Sequence, residues 1–116
     1  MKIKINDTEL ELHYGYNELM LYENMTQESV DYSNFKISNL IHLFYACILG
    51  ACLRQKISPI LTYDEYRFNW IDEHKKEVEE FCTFVVNQVT IQDQIIPKST
   101  KTKKTKQKTG SDIGKN

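Results

Sequence analysis

Lys2-Ile3-Lys4-Ile5-Asn6-Asp7-Thr8-Glu9-Leu10-Glu11-Leu12-His13 is the stretch that decides the fold. Ile3 and Ile5 alternate with lysines, Leu10 and Leu12 alternate with glutamates, and the polar pair Asn6-Asp7 lies between the two arms. Period two on both arms gives one apolar face and one charged face, with Lys and Glu placed to pair across strands. The reading is a two-stranded antiparallel ribbon. A ribbon of this size is not stable alone, so its apolar face must be covered by the helices that follow. At Tyr14-Gly15-Tyr16 the rhythm changes. Tyr16, Leu19, Met20 and Glu23 fall at i, i+3, i+4 and i+7, which predicts a short helix over 16–23 with Tyr16, Leu19 and Met20 facing the core.

Beyond that helix, residues 24–34 are polar and rich in cap and turn formers, with one helical turn expected at 27–32. Residues 37–55 form the central helix. Ile37, Leu40, Ile41, Leu43, Phe44, Cys47, Ile48, Ala51 and Cys52 cover most of its circumference, so it is buried on more than one side. Gly50 costs about 1 kcal/mol there relative to alanine, a cost often accepted for close helix approach. Arg54-Gln55-Lys56 suits the negative end of the helix dipole, and Ser58-Pro59 ends the segment. Thr62 and Glu65 then make a capping box that opens a helix running to about residue 72, with Tyr63, Tyr66, Trp70 and Ile71 inward. A last helix over 74–92 carries Val78, Phe81, Cys82, Val85, Val86 and Val89 on one stripe. No breaker sits at 72–75, so two helices and one bent rod both fit.

The fold class is therefore α+β: an N-terminal two-stranded antiparallel ribbon packed on a small bundle of about four helices. At 116 residues with 41% hydrophobic content, one domain over 1–96 is expected. Residues 97–116 hold seven lysines against Asp112, a balance of +6 that leaves −7 on residues 1–96, given −1 for the whole chain. This lysine-rich tail has no hydrophobic periodicity and is expected to be disordered. Met1 leads straight into the ribbon, so no signal peptide is expected. The apolar run 40–53 contains His42 and Gly50 and is shorter than the ~18–20 residues of a membrane span, which favours a buried helix and no membrane partner, with an interfacial helix the minor alternative. Three cysteines, Cys47, Cys52 and Cys82, all lie in apolar stretches and fit a reduced cytoplasmic compartment.

Nothing in the chain reads as an active site. Cys47 and Cys52 point about 140° apart at ~100° per residue, and His13, His42 and His74 lack the spacing of a metal motif. Neighbouring carboxylates such as Glu79-Glu80 diverge on a helix and read as a solvated face. No nucleophile elbow or phosphate-binding glycine loop occurs. Thiols among aliphatic side chains are inert, and His42 reads as a hydrogen-bonded or half-exposed histidine. The expectation is a non-enzyme with no cofactor and no metal. Lys98, Lys101, Lys103, Lys104, Lys106 and Lys108 could make a nucleic-acid arm, and a small regulatory or nucleic-acid-associated protein is the alternative reading. The tail has no arginine or stacking aromatic and the body is acidic, so nucleic acid is the less favoured partner.

The ribbon, the Tyr14-Gly15-Tyr16 step into Leu19-Met20, the 40–53 helix with Phe44-Tyr45, the helix from Thr62-Tyr63-Asp64-Glu65 to Trp70-Ile71-Asp72 and the acidic helix at 77–80 follow one layout. It resembles that of the tail assembly chaperones of long-tailed bacteriophages and prophages, over about residues 1–92. The basic tail is not part of the resemblance. What it implies is a small, mostly helical, non-enzymatic protein of the infected bacterial cytoplasm. Such a protein binds the tape measure protein, keeps it soluble and helps tail tube subunits assemble around it. A longer frameshifted form is common in that family. On this reading the client surface involves the central helix through Phe44, Tyr45, Ile48 and Cys52, with Tyr16 and Met20 nearby, although plain core packing explains the same residues. A helix apolar all round also predicts a homo-oligomer formed through Leu43, Cys47 and Gly50, unless Tyr63, Tyr66, Phe68 and Trp70 fold over that side.

Overall fold

The computed structural model describes residues 1–95, with side chains as far as residue 90; the 97–116 tail and its lysines, Lys98 to Lys108 among them, lie outside the described residues. Two strands, β1 (Lys2–Ile5) and β2 (Thr8–Glu11), pair antiparallel with Lys2 opposite Glu11 and Lys4 opposite Glu9. Asn6 and Asp7 both take positive φ, 49° and 67°, the conformation of the hairpin turn whose twist matches the strands. Ile3, Ile5, Leu10 and Leu12 are buried, as the alternation requires. Among the described residues neither Lys–Glu pair closes into an ion pair. Glu11 instead takes the Met1 ammonium at 3.0 Å, and this hydrogen bond holds its carboxyl below the usual range.

Helix α1 (Tyr16–Thr26) runs three residues beyond the expected end and is closed by Gln27 in the left-handed conformation. Its buried side chains are Glu18 and Tyr22, whereas Tyr16 is 85% and Met20 53% exposed and Leu19 is half-buried. The predicted inward set is corrected accordingly. Counting apolar letters chose the wrong face, because the carboxylate of Glu18 finds a partner far along the chain. The turn expected at 27–32 forms later, as a 3-10 turn at Tyr32–Asn34 started by Asp31, whose Oδ1 accepts from the Ser33 amide at 3.0 Å.

The central helix α2 (Ile37–Arg54) starts where Asn39 Oδ1 accepts from the Lys36 amide at 2.8 Å. It ends in a left-handed Lys56, φ 60°, with the Ile57 amide bonded to the Cys52 carbonyl and the Lys56 amide to that of Leu53. At 18 residues α2 is long and apolar enough to cross a membrane, contrary to the shorter run expected. Its middle is nonetheless wrapped by the protein itself, with residues 43–48 all buried. The ribbon and α1 pack against it.

Helix α3 (residues 63–73) opens on the predicted box: Thr62 Oγ1 accepts from the Glu65 amide and Glu65 Oε1 from that of Thr62, at 3.1 and 2.9 Å. Tyr66–Trp70 forms a π turn within it, between the α-helical ends Tyr63–Glu65 and Ile71–Glu73. His74, at φ −133° and ψ 45°, makes a corner before α4 (Lys75–Ile95), so the last two helices are separate. The His74 ring stacks on Trp70 at 4.2 Å and its Nδ1 bonds to the Trp70 carbonyl at 2.8 Å, which fixes the corner without proline or glycine. The chain divides into two compact units, Met1–Val85 and a second that begins at Val86 within α4. Of the predicted α4 stripe, Phe81 and Val85 are buried, and Cys82 and Val86 are exposed.

Candidate functional site

Glu18 is fully buried, and among the described residues it is the one charged side chain in the core, beside exposed apolar surface. It sits in the first turn of α1, where the helix dipole favours a carboxylate. Arg54 stands in the last turn of α2, where the dipole favours a cation. Its guanidinium meets the carboxylate with both forks: Nη2 donates to Oε1 at 3.1 Å and Nη1 to Oε2. Such bidentate pairing can offset the cost of burying the charge. Gly50, one turn before Arg54, leaves the room. A Cβ there would stand 2.5 Å from Glu18 Oε2 and 3.2 Å from Cδ. Close approach at Gly50 was expected, but its neighbour is α1 of the same chain and not a partner helix.

Above this pair lies an open groove of about 280 Å³. One wall is the Asn17, Met20, Leu21, Asn24 face of α1, spaced i, i+3, i+4, i+7, and the other is Gly50, Leu53 and Arg54 of α2. Leu53 is 65% exposed, and Tyr16 stands on α1 one turn before Met20. Of the residues expected to face a client, only Tyr16 and Met20 are accessible. Phe44, Tyr45, Ile48 and Cys52 are buried and engaged inside the fold. Phe44 stacks on Phe81 at 4.4 Å and meets Trp70 and Tyr66 edge-on, while the Tyr45 hydroxyl donates to the Leu61 carbonyl at 2.9 Å. Leu43 and Cys47, expected to join two copies with Gly50, have no accessible surface, and Gly50 is buried against α1 at the base of the groove. Tyr66 and Trp70 are buried as well; Phe68 points out, 66% exposed.

Two titratable groups of the central helix, His42 and Cys47, are half-buried and buried respectively. His42 Nε2 lies 2.8 Å from the Tyr63 hydroxyl, with the two rings stacked. Arg67 Nη1 donates to the same hydroxyl at 3.3 Å. Burial lowers the His42 pKa, helped by Arg67 and opposed by Glu28. Burial likewise pushes the Cys47 thiol far up, with Glu18 adding to it and Arg54 opposing, so this sulfur stays protonated. Among the described residues no three His, Cys, Asp or Glu side chains gather to hold a metal ion.

Sequence reasoning missed Glu18, Arg54 as its partner, and Leu53. The available signal was Gly50 and Arg54 four apart on one face of an otherwise apolar helix, a small residue beside a cation. Comparison of the chain with protein-family models, with curated proteins and with solved structures gives no match in any of the three.

Proposed function

We propose that the protein is a non-catalytic assembly chaperone of the phage tail type, which holds an apolar helical segment of its client in the α1–α2 groove. The client in this reading is the tape measure protein, with the tail tube protein a further candidate. The observation that supports it is the set Tyr16, Met20 and Leu53, three large apolar side chains more than half exposed in and beside an open groove between two helices. Met20 suits such a role, since its flexible thioether adapts to varied apolar partners. The pair of buried Glu18 and partly exposed Arg54 would keep the two walls at fixed spacing, so that the groove is present before a client arrives.

Co-expression with the tape measure protein of the same genome tests the reading. The wild-type chain should raise the soluble fraction of that client, and a Met20→Glu, Leu53→Glu double variant with an unchanged circular dichroism spectrum should not. A client equally soluble with and without the chain would overturn it.

A further inference from the structure

The two edges of the ribbon are treated differently. Met1 and Leu12 exchange backbone hydrogen bonds, at 2.7 and 3.3 Å. By antiparallel alternation the inward pairs are then Ile3 with Leu10 and Ile5 with Thr8, so the amides and carbonyls of Lys2, Lys4, Glu9 and Glu11 point away from the partner strand. On the β2 side they are occupied. Gln55 lays its side-chain amide along that edge, Oε1 accepting from the Glu11 amide and Nε2 donating to the Glu9 carbonyl, both at 3.2 Å. One glutamine thus takes the place of a third strand. On the β1 side, among the described residues, nothing bonds to the outward groups of Lys2 and Lys4, and β2 is the only strand beside β1.

We propose that this open edge of β1 is a strand-addition site for an extended peptide that alternates acidic and aliphatic residues. Backbone groups of Lys2 and Lys4 supply the ladder, and the side chains supply the selection. Residues of the added strand opposite Lys2 and Lys4 fall on the solvent face of the ribbon, beside two exposed ammonium groups that form no ion pair among the described residues. Carboxylates fit there. The residue between them falls on the side of buried Ile3, where an aliphatic fits. β2 already shows this chemistry in its Glu9-Leu10-Glu11-Leu12 pattern against the same lysines. A second copy of the chain is a poor occupant, because pairing β1 with another β1 sets lysine beside lysine on both strands. The site is separate from the α1–α2 groove and does not depend on what that groove binds.

The test is an NMR titration of the full chain with the blocked peptide acetyl-Glu-Val-Glu-Val-Glu-amide. Binding should shift the amides of Lys2, Ile3 and Lys4, slow hydrogen exchange at Lys2 and Lys4, and leave the Gln55 side-chain amide unmoved. A Lys peptide of the same length should not bind. Lys2→Glu with Lys4→Glu should weaken binding by about tenfold or more. Lys4→Pro, which removes an outward amide only, should abolish it while the Ile3 and Ile5 bonds to β2 persist. The proposal fails if β1 amides stay unshifted at millimolar peptide. It fails equally if the peptide displaces β2 and frees Gln55, or if β1 amides become protected with rising protein concentration and no peptide, which would mean a second copy.

Discussion

Two stretches of the central helix are buried by opposite means. Around Phe44 the cover is aromatic: Phe81 stacked on one side, Tyr66 and Trp70 edge-on, and Tyr45 anchored through its hydroxyl. Around Gly50 the cover is a single carboxylate laid against a glycine and clamped by an arginine one turn on. The first stretch gains from area and ring geometry, which tolerate small shifts. The second depends on a charge pair with little tolerance, since the fully buried Glu18 left alone in that position is worse than no charge at all. A helix apolar on all sides therefore does not need an apolar neighbour on all sides.

The largest effect should come from the aromatic half. Phe44→Ala removes the ring that touches three others and should cost about 3–5 kcal/mol, read as a lower denaturation midpoint at unchanged m-value. Arg54→Ala should follow at roughly 2–4 kcal/mol, because Glu18 keeps its burial and loses its counter-charge. If Arg54→Ala costs under half a kcal/mol, the contrast between the halves collapses.

Gly50→Ala sharpens the comparison further. The new methyl would meet Glu18 Oε2 at 2.5 Å and should cost about 1–3 kcal/mol by overpacking. In a Glu18→Ala background the same change should instead stabilise, by up to about 1 kcal/mol, since alanine outranks glycine in a helix. A double-mutant cycle on the two positions gives the sign directly.

The smallest effect concerns pH and asks whether the aromatic half is uncharged throughout. The His42 pKa is lowered from 6.5, mainly by burial and then by Arg67, so the unfolded chain binds more protons between the folded value and 6.5. Stability contributed by neutral His42 is complete above 6.5 and declines as pH falls through the folded value. Denaturation midpoints should drop as pH falls below 6.5, and His42→Gln should flatten that slope. Glu11 and Asp31 also have lowered pKa values, but from 4.5 and 3.8, so their losses begin at lower pH.

What the sequence disclosed follows the same divide. The ribbon, the extent of α2 and the Thr62–Glu65 box depend on neighbours within a few residues, and their patterns are local. Burial of Tyr66 and Trp70 follows from helical spacing even through the π turn. The face of α1 was misread because Tyr16 and Met20 look like core residues and Glu18 does not, and only Arg54, 36 positions away, reverses that. The corner at His74 carries no breaker, since it is set by a ring stack and one hydrogen bond. The client surface placed on Phe44, Tyr45, Ile48 and Cys52 met the same limit: hydrophobicity marks what must be covered and not what covers it.

A π turn carries one residue more than the α turn it replaces, and that has a genetic corollary. Between Tyr66 and Trp70 the residues Arg67, Phe68 and Asn69 all point outward. Loss of a single codon among them would shorten the wide turn to ordinary helical pitch with Tyr66 and Trp70 both still present. Elsewhere in the helices a one-residue deletion turns every later side chain by ~100° and scrambles the core. Residues 67–69 are thus where this gene is best able to absorb a change of length.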